Sequence, residues 1–198
     1  MQTIQVNSAA AYLTSREILC SLGVAIVPTE TVYGLVTLWG NLPGRERIYT
    51  LKRRPADKRL QMLAADLSQA ERAGVIISCG LEKIARAFWP GPLTVVVPAR
   101  DGDSIGLRLP AYQFLQRLLL ALPEPLAATS ANLSGQPPAA SAAAALAGLQ
   151  GQPDLLVDGG VVSSTAGAAS TVLSLLQEQP VILRPGPISL EEILAVWQ

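Results

Sequence analysis

Two rhythms of apolar and polar positions take turns along this chain, one helical and one typical of short buried strands. Ser8 stands as a cap before a helix-spaced stretch that runs to about Leu22, where Gly23 ends it, and Val24-Ala25-Ile26-Val27 then reads as a buried strand. Thr29 to Tyr33 forms the turn at the carboxyl end of that strand. Pro43 suits the first turn of a second helix, which carries Ile48 and Leu51 inward and ends near Pro55. Leu60 to Ala65 reads as a strand. Ser68 to Ala73 and Leu81 to Phe88 read as helices, before the rigid turn Trp89-Pro90-Gly91-Pro92.

Leu93 to Pro98 and Ile105 to Leu109 then read as strands, Tyr112 to Leu122 as a helix, Leu126 to Ala128 as a short strand and Ala139 to Leu149 as an alanine-rich helix. After Gly159-Gly160 the pattern predicts a loose Ser/Thr/Gly/Ala segment, strands at Thr171 to Leu175 and Val181 to Leu183, and a final helix. Ser189 and Glu192 stand at capping-box spacing for that helix. The connections are too irregular for simple βαβ alternation, so the expected fold class is α/β with a mixed, twisted sheet. With no repeat and no dividing linker, residues 1–198 are expected to form a single domain.

Composition sharpens the picture. Half of the residues are hydrophobic and few are charged, which suffices for a substantial core. Histidine is absent, which excludes Ser-His-Asp and Cys-His catalysis and any histidine base. Cys20 and Cys79 stand far apart without CxxC spacing and read as two buried thiols, and a zinc site is not expected. The amino terminus lacks a basic segment followed by an apolar one, and the most apolar later run, Leu118 to Ala128, is broken by Pro123-Glu124-Pro125. A soluble, cytoplasmic protein with no membrane partner is expected. Formal net charge is zero, yet seven of the fifteen Lys and Arg residues fall between Arg45 and Arg59, which points to an anionic partner.

Three strings hold the candidate chemistry: Pro28-Thr29-Glu30-Thr31-Val32-Tyr33-Gly34, Leu51-Lys52-Arg53-Arg54-Pro55 and Thr129-Ser130-Ala131-Asn132-Leu133-Ser134-Gly135. Each lies where an apolar run ends or a helix closes, as displayed functional groups usually do. Lys52 and Arg54 converge only if the backbone leaves the helix between them, and Pro55 favours that exit. The pair then either grips a triphosphate and a leaving pyrophosphate or forms a solvated basic helix end. Arg108 and Arg184 sit among apolar neighbours in strand contexts, where alternation turns each to solvent or into a polar cavity, local sequence favouring solvent. Ser130 and Asn132 read either as a stabilised turn or as an anion cradle, and Ser170-Thr171 as a cradle or a strand cap. No GxxxxGK[ST] string is present, so P-loop binding is out.

In their joint order these strings resemble the YrdC-like family of threonylcarbamoyl-adenylate synthases. The resemblance runs from about Ser8 to Pro187 and is further carried by Phe88-Trp89-Pro90-Gly91-Pro92-Leu93-Thr94, Leu107-Arg108-Leu109-Pro110, Gly159-Gly160, Ser170-Thr171-Val172 and Leu183-Arg184-Pro185-Gly186. It implies a mixed, twisted sheet with flanking helices curved around a large, positively charged cavity. It also implies a nucleotidyltransferase reaction in which L-threonine, bicarbonate and ATP, with Mg²⁺, give L-threonylcarbamoyladenylate, pyrophosphate and water. The product would pass to a tRNA threonylcarbamoyl transferase complex for N6-threonylcarbamoyladenosine modification.

By the same resemblance, Thr31, the backbone near Ala128 and the hydroxyl of Ser170 would position threonine. Lys52, Arg54, Lys58, Ser104, Arg108, Ser130, Asn132, the chain near Pro138 and Arg184 would hold ATP. Among these Lys52 and Arg54 would oppose charge on pyrophosphate, while Ser130 and Asn132 orient the α-phosphate. The chain departs from the family pattern with Arg59-Leu60, where Pro-Leu is frequent, and with Leu63, where some relatives carry a polar group that meets threonine. It is also expected to lack the additional C-terminal domain of longer members. Two other classes are weighed: the related carbamoyl-adenylate module of hydrogenase-maturation proteins, whose acylphosphatase and zinc-finger segments are absent here, and a double-stranded RNA or ribosome-assembly binder using the basic stretch.

Overall fold

The computed structural model describes residues 1–162 and 169–197. Among them ten strands join one mixed sheet. The first half of the chain supplies β1 (Gln2–Gln5), α1 (Ala11–Cys20), β2 (Ala25–Pro28), β3 (Tyr33–Leu38), α2 (Leu42–Lys52), β4 (Gln61–Leu63), α3 (Leu67–Arg72) and α4 (Cys79–Phe88). The second half supplies β5 (Leu93–Pro98), β6 (Ser104–Arg108), α5 (Gln113–Ala121), β7 (Leu126–Ser130), α6 (Ala142–Ala147), β8 (Leu155–Asp158), β9 (Thr171–Ser174), β10 (Val181–Arg184) and α7 (Leu190–Trp197). The spatial order is β1-β8-β2-β3-β7-β4-β6-β5-β9-β10. Parallel pairs (β1 with β8, β8 with β2, β4 with β6, β5 with β9) are mixed with antiparallel ones, as the irregular connections predict.

Strand alternation assigns the side chains to two faces. On one face α2 and α6 cover Ile26, Leu35 and Ala127, while Met62, Val95, Leu107 and Leu173 pack with Leu81, Ile84 and Ile193 of α4 and α7. On the other face α1 and α5 cover Ala25, Val27, Val36, Leu63 and Ala128 through Leu19, Leu115, Leu118 and Leu119. That cover stops at β4. Beyond it, Gln61, Gly106, Thr94, Val96 and Val172 form the floor of a cavity instead of a core.

Several expectations need correction. Three strands go unrecognised in the sequence: β1, β3 and β8. β3 is buried along its whole length, so it has no polar alternation, and the chain folds back at Thr29–Val32 as a hairpin with β2. Ser8 does not cap α1; its hydroxyl accepts from Ala10 N, and α1 has no side-chain cap. The left-handed residue that closes α1 is Leu22, at φ 63°, while Gly23 is needed because a Cβ there would lie 2.6 Å from Ile18 Cγ2. The alanine-rich helix is shorter than Ala139 to Leu149, since Ser141 accepts from Ala144 N and starts it at Ala142. Cys20 and Cys79 are exposed thiols, not buried ones. The capping box holds: Glu192 accepts from Ser189 N and Ser189 Oγ accepts from Glu192 N. Part of the Ser/Thr/Gly/Ala segment lies outside the described residues.

Candidate functional site

The cavity has a volume of about 500 Å³ and is built from three chain reversals around the bare half of the sheet. The first is the end of α2. Arg53 adopts the left-handed conformation at φ 48° and Arg54 N donates to Tyr49 O, so the chain leaves the helix between Lys52 and Arg54 and both can face the cavity. Lys52 is only 1% exposed. Its ammonium donates to Ser130 O and, at 2.5 Å, to Asn132 O, which braces the loop after β7. Burial, reinforced by neighbouring Arg54, lowers the Lys52 pKa to about 8. Arg54 donates to Lys58 O at 2.8 Å, Arg59 O at 2.6 Å and Thr129 Oγ1 at 3.3 Å, so it also shapes the turn that carries Lys58 and Arg59.

The second reversal is the β2–β3 turn. Arg108 of β6 is 3% exposed and faces the cavity wall, not solvent as its local sequence favours. It donates to Glu30 Oε1 at 2.5 Å, Thr31 Oγ1 at 3.1 Å and Gly91 O at 3.2 Å. Thr29 Oγ1 donates its only proton to Val32 O at 2.6 Å and fills both lone pairs by accepting from Thr31 N and Val32 N at 3.1 Å, so its 3.1 Å contact with Thr31 Oγ1 leaves the Thr31 proton available. With one lone pair taken by Arg108, Thr31 keeps a lone pair and its proton for a ligand.

The third reversal precedes β9. Thr94 Oγ1 donates to Gln61 Oε1 at 3.1 Å, so Ser170 donates to Thr94 at 2.8 Å, while Arg184 donates to Ser170 Oγ at 3.3 Å and to Ser170 O at 2.7 Å. Ser170, like Thr31, presents a lone pair. Arg184 is held below the usual guanidinium range by burial and by Arg108.

Every candidate residue read from the sequence lines this one cavity: Thr31, Lys52, Arg54, Lys58, Ser104, Arg108, Ala128, Ser130, Asn132, Pro138, Ser170 and Arg184. Ala128 lies inside β7, in register with Val36 and Gln61. Asn132 stands differently from expectation, because its Nδ2 donates to Leu133 O and Gln136 O, both at 2.7 Å, and its buried Oδ1 has no partner among the described residues. Its free atom is an acceptor, which does not suit a phosphate oxygen. Leu63 is core and does not line the cavity. The sequence reading misses Thr94, Gln61 and Glu30, whose positions follow only from strand register and from the Glu30–Arg108 pair.

The basic stretch does not form one surface. Arg45 lies 4.8 Å over the Trp39 ring, Arg47 pairs with Asp154 at 2.5 Å, Arg53 donates to Gln150 Oε1 and Arg59 pairs with Asp103. The cavity itself gathers Lys52, Arg54, Lys58, Arg59, Arg108 and Arg184, with no carboxylate among its described lining residues. No group of three metal-ligating side chains occurs among the described residues.

A family model described as "Telomere recombination", for the Sua5, YciO and YrdC proteins, matches residues 17–186. The threonylcarbamoyl-AMP synthase of Pyrococcus abyssi (strain GE5 / Orsay) is 38% identical over 175 residues, covering 84% of this chain and 51% of that protein. The threonylcarbamoyl-AMP synthase of Bacillus subtilis (strain 168) is 36% identical over 202 residues, covering 97% of this chain and 56% of that protein. Among solved structures, P. abyssi Sua5 complexed with L-threonine matches with a TM-score of 0.90 at 33% identity, over 99% of this chain and 61% of that one. The chain thus spans about half the length of the curated relatives it matches.

Proposed function

The chain belongs to the Sua5, YciO and YrdC family, and from that premise we propose that it is a threonylcarbamoyl-AMP synthase, joining L-threonine, bicarbonate and ATP with release of pyrophosphate and water. The observation that carries this reading is the cavity's division of labour: Lys52, Arg54 and Lys58 at one group of walls, with no carboxylate among the described lining residues, and the Arg-held hydroxyls of Thr31 and Ser170, each with a lone pair to offer, at another.

The hydroxyls match the donors of threonine, its amine and its side-chain O–H. Lys52, Arg54, Lys58 and the Ser130 hydroxyl, which has no partner among the described residues, with Ser104 and the chain at Pro138, suit ATP. Arg108 and Arg184, tied to Thr31 and Ser170, belong at the junction where the two substrates meet. The amine loses a proton and adds to the carbon of carbon dioxide or bicarbonate; a carbamate oxygen then attacks the α-phosphorus in line as the bond to pyrophosphate breaks. Positioning and charge stabilisation carry such a step, so histidine is not needed. Lys52 and Arg54 oppose the charge growing on pyrophosphate.

Magnesium fits as a companion of the nucleotide: ATP's own phosphates would hold it, and Asn132 Oδ1 is the unpartnered protein oxygen in the wall suited to it. Such an ion supplies charge neutralisation of the triphosphate. Among the described residues no helix is long and apolar enough to cross a membrane, and a cytoplasmic protein that hands its product to a tRNA-modifying transferase completes the reading. The test is pyrophosphate release from ATP with and without L-threonine in bicarbonate buffer. Threonine-dependent release supports the synthase; release indifferent to threonine overturns it.

A further inference from the structure

A second cavity, of about 560 Å³, opens between the N-terminal turns of α1 and α5 and the loop that follows β1. It shares no lining residue with the cation-lined cavity, and the chemistry proposed above makes no use of it. Its walls are aromatic: Tyr12 from α1, Tyr112 and Phe114 from the start of α5. Tyr112 and Phe114 pack against the core that contains Leu115, Leu118 and Val157, so their rings are held from behind as fixed platforms.

Ser8 Oγ accepts from Ala10 N, but the longer polar side chains around these rings form no hydrogen bond or ion pair among the described residues. Arg117, one turn beyond Gln113 on α5, holds its guanidinium 5.8 Å from the Tyr12 ring centroid and forms no ion pair among the described residues. No carboxylate occurs among the described lining residues. The side-chain amides of Asn7 and Gln113 form no hydrogen bond among the described residues. α5 starts without a side-chain cap, and its open first-turn N–H groups add to the positive potential.

Rings, amides and one uncompensated cation together specify the ligand. Flat heteroaromatic bodies stack on aromatic side chains whatever their sequence, and amides pair with the edges of such bodies. A single guanidinium answers one phosphate group, in contrast to the six cations of the other cavity, which answer a triphosphate. The volume lies within the range of small-molecule sites. We infer that this cavity is a second nucleotide site, taking one nucleoside monophosphate unit with its base against Tyr12, Tyr112 and Phe114 and its phosphate at Arg117. That unit has two sources with the same chemistry, free adenosine monophosphate or an unpaired nucleotide of an RNA strand.

Photo-crosslinking of the full chain, mapped by peptide mass spectrometry, tests this directly. One arm uses 8-azido-adenosine monophosphate and the other a short unpaired oligoribonucleotide carrying 4-thiouridine. Label on the peptides holding Tyr12 or Tyr112 to Arg117, falling at least tenfold in Arg117→Glu and in the charge-neutral Arg117→Gln, supports the site, and the arm that labels identifies the source. Label confined to the residues of the cation-lined cavity, label at Tyr12 or Tyr112 that both variants leave unchanged, or no label in either arm overturns it. Arg117 is exposed, so both variants are expected to fold and to keep any threonine-dependent pyrophosphate release. The map requires no turnover, so it stands or falls apart from the synthase reading.

Discussion

Glu30 and Lys52 show how much of this site is set by groups that hold other groups. Glu30 has one oxygen on Arg108 and the other buried without a partner among the described residues, and Arg108 in turn occupies one lone pair of the Thr31 hydroxyl. Glu30→Gln keeps the shape and removes the charge, so KM for threonine is expected to rise about tenfold, near 1.4 kcal/mol, with KM for ATP changed much less. Equal loss toward both substrates would assign Glu30 a merely structural role. For Lys52 the sign follows from its lowered pKa. Between about pH 8 and the free-lysine range the unfolded chain keeps a proton that the folded chain has lost, so the cost of burying the charge is full below pH 8 and stability rises with pH through that window. A triphosphate beside Lys52 pulls the proton back. ATP binding between pH 8 and 9 should therefore take up protons, read by calorimetry in buffers of different ionisation enthalpy, and Lys52→Met should abolish the uptake. No uptake in the parent chain would place the phosphates elsewhere. These roles escape sequence reading because Glu30 and Arg108 stand far apart in the chain and meet only through the fold.

At the scale of elements, the site depends on where α2 starts as well as on where it ends. Asn41 caps α2 by accepting from Gly44 N at 3.1 Å, and its amide also donates to Leu22 O at 2.7 Å and Thr37 Oγ1 at 2.8 Å. Asn41→Ala removes the cap and leaves buried partners unsatisfied, so chemical denaturation should show a loss of about 2 kcal/mol. A loss below about 0.5 kcal/mol would mean that α2 is held by packing alone. The helices and most strands of the sheet were legible because Val24–Val27, Leu93–Pro98 and the apolar face of Tyr112–Leu122 carry their periods openly. β1 was not, since Gln2-Thr3-Ile4-Gln5 is polar and gains strand structure only by pairing with β8 at the sheet edge. β3 and β8 are short apolar runs whose register, not their pattern, makes them strands.

In the molecule as a whole, a chain of zero formal net charge concentrates six cations in one cavity and engages the other three cations of its basic stretch, Arg45, Arg47 and Arg53, with Trp39, Asp154 and Gln150. That distribution suits a small polyanion and not a duplex. Double-stranded RNA is therefore expected to bind weakly at about 0.15 M salt, and a tight complex there by filter binding would revive the RNA-binding class. The candidate residues were legible as motifs, but the bare half-sheet that gathers them was not, because it arises where the cover of α1 and α5 stops. The proposed reaction turns on a bond between threonine-derived carbamate and adenylate. Its most direct measurement is mass spectrometry of the product formed from ATP, L-threonine and ¹³C-bicarbonate. A synthase yields threonylcarbamoyladenylate one mass unit heavier than with ordinary bicarbonate and none without threonine; an adenylate that carries no label, or none at all under bicarbonate-rich conditions, would rule the reaction out.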